Sequence, residues 1–179
     1  MFKSFFPCRR EKSAYLIDYD KLYESGCRCL VYDVDNTLVC HGAPQNEKSL
    51  SFLKSLQEKG FKLLFLSNNK EPRVKSFSEP LGAMYIYKAG KPSPKNYIRA
   101  CEMLGETRET TVFIGDQLFT DIWGANKAGI YSILTDPIDK HEEIQIILKR
   151  RLEWIVLKNY ESKLKNEKIK EKEYGKHKY

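Results

Sequence analysis

The sequence has no apolar run that approaches the ~20 residues needed to cross a membrane. It has only three histidines, and its five cysteines include neither a CxxC pair nor a zinc-like spacing. The opening Met-Phe-Lys-Ser-Phe-Phe-Pro is too short, and too broken by Pro7, to be a signal peptide. These absences argue against a membrane-spanning, zinc-binding or secreted protein. We therefore expect a reduced, cytoplasmic chain.

The two ends of the chain carry the whole formal charge of +7, because residues 1–12 contribute +3 and residues 158–179 contribute +4. Basic ends favour anionic partners, either the inner face of a membrane or nucleic acid. Phe2, Phe5 and Phe6 lie among the amino-terminal basic residues. They either contact a membrane surface or pack against the body.

Between these ends, short apolar runs alternate with helical patterns. The apolar runs predict strands near 30–32, 61–66, 84–87, 110–114 and 130–134. A last amphipathic helix is predicted to bury one face, made of Ile144, Ile147, Leu148, Arg151, Leu152 and Ile155. The alternation predicts an α/β fold, a three-layer α/β/α sandwich with a parallel, Rossmann-like sheet. We expect this domain to fill residues 1–157 and a basic, flexible tail to follow over 158–179.

Polar side chains follow these strands, starting with two acids after the first one. Asp33 and Asp35 end the run that begins at Leu30, and two acids so close together recruit a divalent cation or remain solvated in a turn. The carboxyl ends of parallel strands meet at one edge of a sheet, where ligands bind. The later strands deliver further polar residues to that edge, namely Ser67, Asn68, Lys91, Asp116 and Asp121.

This set of residues predicts phosphoryl-transfer chemistry. Four carboxylates at one edge need a cation, and Mg²⁺ prefers oxygen ligands. A lysine and a serine beside Mg²⁺ would neutralise and hydrogen-bond a phosphoryl group. One acid can then attack phosphorus, while the other protonates the leaving oxygen and later deprotonates the hydrolytic water.

The motifs and their order resemble those of the haloacid dehalogenase (HAD) superfamily of phosphatases. Asp33-Val34-Asp35-Asn36-Thr37 resembles its first motif, Ser67 its second, Lys91 its third and Gly115-Asp116 through Asp121 its fourth. The longer matches, such as Lys88-Ala89-Gly90-Lys91-Pro92, are similar to subfamily IIIA of the YqeG type. That group is related to phosphatidylglycerophosphatases, and the resemblance covers about residues 1–157.

The resemblance implies a role for each matching residue. Asp33 would be the nucleophile and a Mg²⁺ ligand, and Asp35 would be the general acid/base with its backbone carbonyl on the metal. Asp116 would complete the metal site, assisted by Asp121. The phosphorylated substrate would be held by Thr37, Ser67, Asn68 and Lys91. His41, in a flap after the first motif, receives no role.

The short intervals between the motifs leave no room for a cap domain. Residues 38–66 and 68–90 are each filled by one predicted helix and one strand. An open site suits a large or surface-held substrate, so we expect a peripheral phosphatase of a phospholipid headgroup, with phosphatidylglycerophosphate as the best candidate. The alternatives are a soluble phosphatase of nucleotides or polynucleotide ends, and a HAD-fold RNA-binding module.

Overall fold

A single parallel sheet forms the centre of the computed structural model, which describes residues 3–139 and 144–176. Its strands are β1 (Arg9–Glu11), β2 (Cys29–Tyr32), β3 (Lys62–Leu66), β4 (Met84–Ile86), β5 (Thr111–Gly115) and β6 (Tyr131–Thr135). They lie in the order β1-β6-β5-β2-β3-β4, and every neighbouring pair is parallel. The five predicted strands are confirmed. The edge strand β1 was missed because its three charged residues give no apolar signal.

The helices follow the strands as the alternation predicts. They are α1 (Tyr19–Glu24), α2 (Glu47–Glu58), α3 (Glu71–Ser78), α4 (Lys95–Leu104), α5 (Trp123–Ala128) and α6 (Ile144–Lys176). Local capping explains where α2 begins, since the Asn46 side chain accepts a hydrogen bond of 2.8 Å from Ser49 N. Residues 38–66 hold α2 and β3, and residues 68–90 hold α3 and β4, so these intervals contain no cap domain.

Both faces of the sheet are covered, which gives the predicted three-layer sandwich. Leu30 and Tyr32 belong to one apolar core with residues of α1, α2 and α3, while Cys29 and Val31 belong to a second core with residues of α4 and α5. Alternate residues of β2 therefore face opposite layers, and all four are buried. Such burial on both sides explains why this strand is a continuous apolar run rather than an alternating one.

The orientation predicted for α6 is wrong beyond residue 150. Leu152 and Ile155 were expected in the core, but 57% and 47% of their surface is exposed. The helix instead buries Glu153, Val156 and Tyr160. The sequence favoured the wrong face because leucine and isoleucine mark a core stripe, whereas the buried stripe here contains a charged residue.

The carboxyl-terminal boundary also differs from the expectation. Helix α6 continues without interruption through residue 158 to Lys176, although the apolar periodicity ends earlier. Tyr160 is buried and Glu161 forms an ion pair with Arg10 at 2.7 Å, so the body extends past 157. The flexibility of 158–179 stays a prediction. In the described part of the chain, no helix is both long and apolar enough to span a bilayer.

The described amino-terminal phenylalanines pack against the body. The Phe5 ring lies 5.3 Å from that of Phe119 and 4.9 Å from that of Trp123, measured between centroids. The Phe6 ring lies 5.5 Å from that of Tyr160. Of the two alternatives, packing is therefore confirmed for these two rings. Phe2 lies outside the described residues.

Candidate active site

The carboxyl edge of the sheet brings the predicted site residues together. Tyr32, the last residue of β2, pairs with Phe65 of β3 and with Ile114 of β5. Because the strands are parallel and in register, the residues that follow them emerge side by side. Asp33 follows β2, Ser67 follows β3 and Asp116 follows β5, which brings the first, second and fourth predicted motifs to one place.

Three buried carboxylates form the centre of this site. Oxygen atoms of Asp33, Asp116 and Asp121 lie within 4.8 Å of one another. The Lys91 ammonium lies between two of them, donating to Asp33 Oδ1 at 2.6 Å and to Asp121 Oδ1 at 2.7 Å. Its side chain is only 4% exposed, so this contact is largely shielded from solvent screening. Thr37 Oγ1 donates to Asp116 Oδ1 at 3.2 Å.

The electrostatics of the cluster reflect an excess of negative charge. The pKa of the Asp33 carboxyl is raised to about 8, because burial and the charges of Asp121 and Asp116 together outweigh the opposing effect of Lys91. Burial likewise raises the pKa of Asp116 to about 7. Burial alone would lower the pKa of Lys91, but the carboxylates of Asp121 and Asp33 raise it above its ordinary value. The ammonium therefore stays protonated at neutral pH.

A close backbone approach positions Asp121. A wide, π-type helical turn over Leu118–Ile122 follows β5, and Asp121 Oδ2 accepts a hydrogen bond of 3.0 Å from Gln117 N. A Cβ atom on Gly115 would lie 2.7 Å from the Asp121 Cβ, closer than real contacts allow. Only glycine at position 115 therefore lets the Asp121 carboxylate turn back beside the strand end.

Asp35 is buried, but its carboxylate lies in a separate set of contacts. Its Oδ1 accepts from Gly42 N at 2.7 Å and from Arg73 Nη2 at 2.9 Å, and its Oδ2 accepts from Asn69 Nδ2 at 2.5 Å. These three donors fix the orientation of the side chain. The cluster of metal-ligating oxygens does not include this carboxylate. The backbone role predicted for Asp35 at the metal stays a prediction.

The remaining predicted residues line the entrance. Ser67 is buried, whereas Asn68 is exposed and its amide holds the Lys91 backbone, with a hydrogen bond of 2.9 Å from Lys91 N to Asn68 Oδ1. Ser67 and Asn68 share a cleft of about 190 Å³ with both acids of the first motif, and its lining also includes His41, Asn69, Lys91, Gln117 and Thr120. Cys40, which follows the first motif, is exposed.

Sequence reasoning missed the two arginines that reach the site. Arg73 of α3 binds Asp35, as described above. Arg150 of α6 donates to the backbone carbonyl of Asp116 at 2.5 Å and forms an ion pair with Asp116 Oδ2. Neither arginine lies in a recognisable motif. The only available signal was a charged position within each helix, which ordinarily indicates a solvated face.

Glu153 connects α6 to the turn that follows β5. Its Oε1 accepts a hydrogen bond of 2.8 Å from Leu118 N and its Oε2 lies 3.1 Å from Arg150 Nη1. The side chain is buried. The sequence signal for this contact is a glutamate on the helical face that also carries Val156 and Tyr160. A charged group within such an apolar stripe is paired when it is buried.

The donor set fits a hard divalent cation. When ionised, Asp33, Asp116 and Asp121 carry three negative charges, against two cations paired with them, Lys91 and Arg150. The cluster offers oxygen atoms and neither imidazole nor thiolate. Oxygen ligands and leftover negative charge suit Mg²⁺ better than zinc.

Comparison with known proteins agrees with this geometry. The family model of haloacid dehalogenase-like hydrolases matches residues 30–129, which include all the predicted motifs but not Arg150. The chain is 38% identical over 159 residues to a Bacillus subtilis protein named "Probable phosphatase YqeG", covering 88% of this chain and 92% of that protein.

Two further similarities are more distant. The chloroplastic and mitochondrial phosphatidylglycerophosphate phosphatase 1 of Arabidopsis thaliana is 26% identical over 162 residues, which cover 83% of this chain and 46% of that protein. A solved structure from Vibrio cholerae, described as a candidate 3-deoxy-D-manno-octulosonate 8-phosphate phosphatase, superposes with a TM-score of 0.51. It is 19% identical and covers 66% of this chain and 72% of that one, so it supports the fold alone.

Proposed function

Because the chain belongs to the haloacid dehalogenase-like hydrolases and is a phosphatase of that family, we propose that it hydrolyses phosphomonoesters through an aspartyl-phosphate on Asp33. The observation that carries the proposal is the division of the two acids of the first motif. Asp33 lies in the carboxylate cluster against the Lys91 ammonium, while Asp35 lies outside that cluster. Two acids in different environments can perform two different roles.

In the first step, a carboxylate oxygen of Asp33 attacks phosphorus as the bond from phosphorus to the leaving oxygen breaks. Asp35 supplies the proton that this oxygen needs. In the second step a water molecule attacks the phosphorus of the aspartyl-phosphate, Asp35 accepts a proton from that water, and the bond to Asp33 breaks to release phosphate.

The neighbouring residues prepare these groups. Lys91 neutralises oxygens of the phosphoryl group while holding Asp33, and Ser67 offers a hydroxyl at the same strand edge. Arg73 and Asn69 hold Asp35 in one orientation, so that its carboxyl group can serve both steps from a fixed position.

Mg²⁺ would be held by Asp33 and Asp116, with Asp121 assisting and with the backbone carbonyl of Asp35 as a further ligand. When bound, it would supply positive charge that offsets the developing charge on the phosphoryl oxygens. Thr37 and Arg150 each bond one carboxylate oxygen of Asp116, which fixes the orientation of this ligand.

For the substrate we propose a phospholipid headgroup, with phosphatidylglycerophosphate as the best candidate. Two observations support this choice. The cleft is open, since the intervals after the first and second motifs contain no cap domain. One relative is named as a phosphatidylglycerophosphate phosphatase.

The test is phosphate release from phosphatidylglycerophosphate in mixed micelles, with Asp33→Asn as the blank. We expect release that requires both Asp33 and Mg²⁺ and that stops with EDTA. Turnover of an aryl phosphate without turnover of the lipid would keep the chemistry and discard the lipid. Turnover of nucleotides or polynucleotide ends instead would favour a soluble phosphatase. The absence of phosphate release from every one of these substrates would contradict the proposal and favour a binding module.

A further inference from the structure

We propose that the outer face of α6 is a docking face that binds an anionic lipid surface beside the cleft. The docking face consists of Arg151, Leu152, Trp154, Ile155 and Lys158. The proposal rests on the proposed function in one respect, since a lipid substrate gives such docking its purpose. Binding itself can be measured without any turnover.

Exposed apolar side chains mark this face. Leu152 is 57% exposed, Trp154 is 56% exposed and Ile155 is 47% exposed. They are neighbours on one helix, and a contiguous group of large apolar side chains is uncommon on a surface that faces only water. The sequence predicted that Leu152 and Ile155 would be buried, so their exposure leaves an apolar surface that the described body does not cover.

The orientation of α6 is fixed by the opposite face of the helix. Glu153, Val156 and Tyr160 are buried against the body. Glu153 bonds the Leu118 backbone and Arg150 reaches Asp116, which anchors the helix at the strand ends. Rotating α6 to bury the docking face would break these contacts, so the face is a permanent feature of the fold.

The charge around the docking face favours an anionic surface as its partner. Arg151 and Lys158 are exposed within it, and the Lys158 ammonium lies 3.7 Å from the centroid of the Trp154 ring. The two acids of this part of the helix are already paired, Glu153 with Arg150 and Glu161 with Arg10. Basic residues on an amphipathic helix are attracted to anionic lipids, and tryptophan favours the boundary between headgroups and acyl chains.

The rest of the carboxyl-terminal sequence adds to this attraction. Residues 158–179 contain eight lysines and four glutamates, a net charge of +4. A protein partner would be recognised by shape and hydrogen bonds, whereas this segment offers a repeated positive charge. The anionic surface of a membrane carries many negative charges, so it attracts such a segment over a long range.

The position of the docking face connects it to catalysis. Arg150 contacts Asp116 of the carboxylate cluster, and Trp154 follows four residues later, about 6 Å along the helix axis. Arg150, Arg151, Trp154 and Ile155 line a shallow apolar pocket of about 510 Å³ between these points. A bilayer that contacts Trp154 would therefore present its headgroups close to the uncapped site.

Sedimentation with lipid vesicles tests the proposal. The wild-type protein is compared with the double variant Trp154→Ser/Ile155→Ser on vesicles of phosphatidylglycerol and phosphatidylcholine, and on phosphatidylcholine alone. The matched control is Met84→Ser/Tyr131→Ser. These two residues are 45% and 43% exposed, and they are the first residues of β4 and β6, at the end of the sheet opposite to its carboxyl edge.

We expect the wild type and the control to bind the anionic vesicles preferentially, and the double variant to lose about 10- to 100-fold in partitioning. The variant should retain its hydrolysis of a soluble aryl phosphate, which shows that it is folded. A charge variant, Arg151→Glu/Lys158→Glu, should reduce the preference for anionic over neutral vesicles.

Three results would overturn the proposal. The first is equal binding of the wild type and the Trp154→Ser/Ile155→Ser variant. The second is a wild type without preference for anionic lipid. The third is a wild-type dimer that the double variant converts to monomer, which would assign the face to a second copy of the chain.

The docking proposal and the proposed function fail in distinguishable ways. Vesicle binding that requires Trp154 and Ile155, together with no release from phosphatidylglycerophosphate, would support docking and discard that substrate. Micellar turnover of phosphatidylglycerophosphate without any vesicle binding would support the proposed function and overturn docking.

Discussion

Replacing Lys91 with methionine should destabilise the metal-free protein in a pH-dependent way. The Lys91 ammonium lies 2.6 Å from Asp33 Oδ1 and 2.7 Å from Asp121 Oδ1, and its side chain is 4% exposed. Removing one partner of a buried ion pair leaves an uncompensated charge and typically costs about 3–5 kcal/mol. Methionine keeps the length and the apolar stem of lysine, so the loss reports the charge rather than a cavity.

The sign of the pH dependence follows from the direction of the shifts. Burial raises the pKa of Asp33 to about 8 and that of Asp116 to about 7. A carboxyl group whose pKa is raised by folding holds its proton longer in the folded state than in the unfolded chain, so its contribution to stability falls as the pH rises from about 4 toward 8. The Lys91 ammonium lowers both pKa values, which limits this fall in the wild type.

Without Lys91, the folded variant should retain protons that the folded wild type releases between about pH 7 and pH 8. The stability deficit of Lys91→Met should therefore widen across that window. Urea unfolding in EDTA at pH 6 and pH 8.5 measures it. With a urea slope of about 2 kcal/mol/M, the deficit at pH 8.5 corresponds to a midpoint lowered by about 1.5–2.5 M.

The matched control is Lys95→Met, which removes an exposed lysine at the start of α4. Its free energy of unfolding should stay within about 0.5 kcal/mol of the wild-type value. A Lys91→Met variant as stable as the wild type at pH 8.5, or a deficit that is the same at both pH values, would refute the reasoning.

Three other perturbations test single contacts. Asp33→Asn should reduce aryl phosphate turnover by at least about 10⁴-fold while the protein remains folded, and residual Mg²⁺-dependent turnover near the wild-type rate would contradict its role. Arg73→Met should lower kcat by about 10- to 100-fold because Asp35 loses one of its three donors, whereas Arg99→Met, which removes an exposed arginine of α4, serves as the control. Gly115→Ala should cost about 1–3 kcal/mol in urea unfolding, because the new methyl group would lie 2.7 Å from the Asp121 Cβ, and an unchanged midpoint would show that the turn can move.

The sheet and the acids at its edge could be predicted because they depend on local patterns. The apolar run ending at Tyr32 indicates a buried strand, and the register of parallel neighbours then places Asp33 and Asp116 together. The edge strand β1 had no such pattern. Its three residues, Arg-Arg-Glu, pair with Ile133, Leu134 and Thr135 through the backbone, which any residue can supply.

The contacts that complete the site come from positions where the sequence carries no motif. Arg73 and Arg150 approach the acids from two different helices, and only the packing of those helices determines which way each side chain points. The same limitation explains why the sequence predicted the wrong buried face for α6. The contacts of Glu153 with Leu118 and of Arg150 with Asp116 outweigh the preference of Ile155 for the interior, and the apolar pattern does not report such contacts.

The most direct test of the central claim is mass spectrometry of the acid-quenched Asp35→Asn variant after reaction with an aryl phosphate and Mg²⁺. An aryl leaving group needs no proton from Asp35, so the first step should proceed, while hydrolysis should stall without its base. We predict an adduct of about 80 Da on the peptide that contains Asp33, and its absence from Asp33→Asn/Asp35→Asn. No adduct, or an adduct on another residue, would contradict the account.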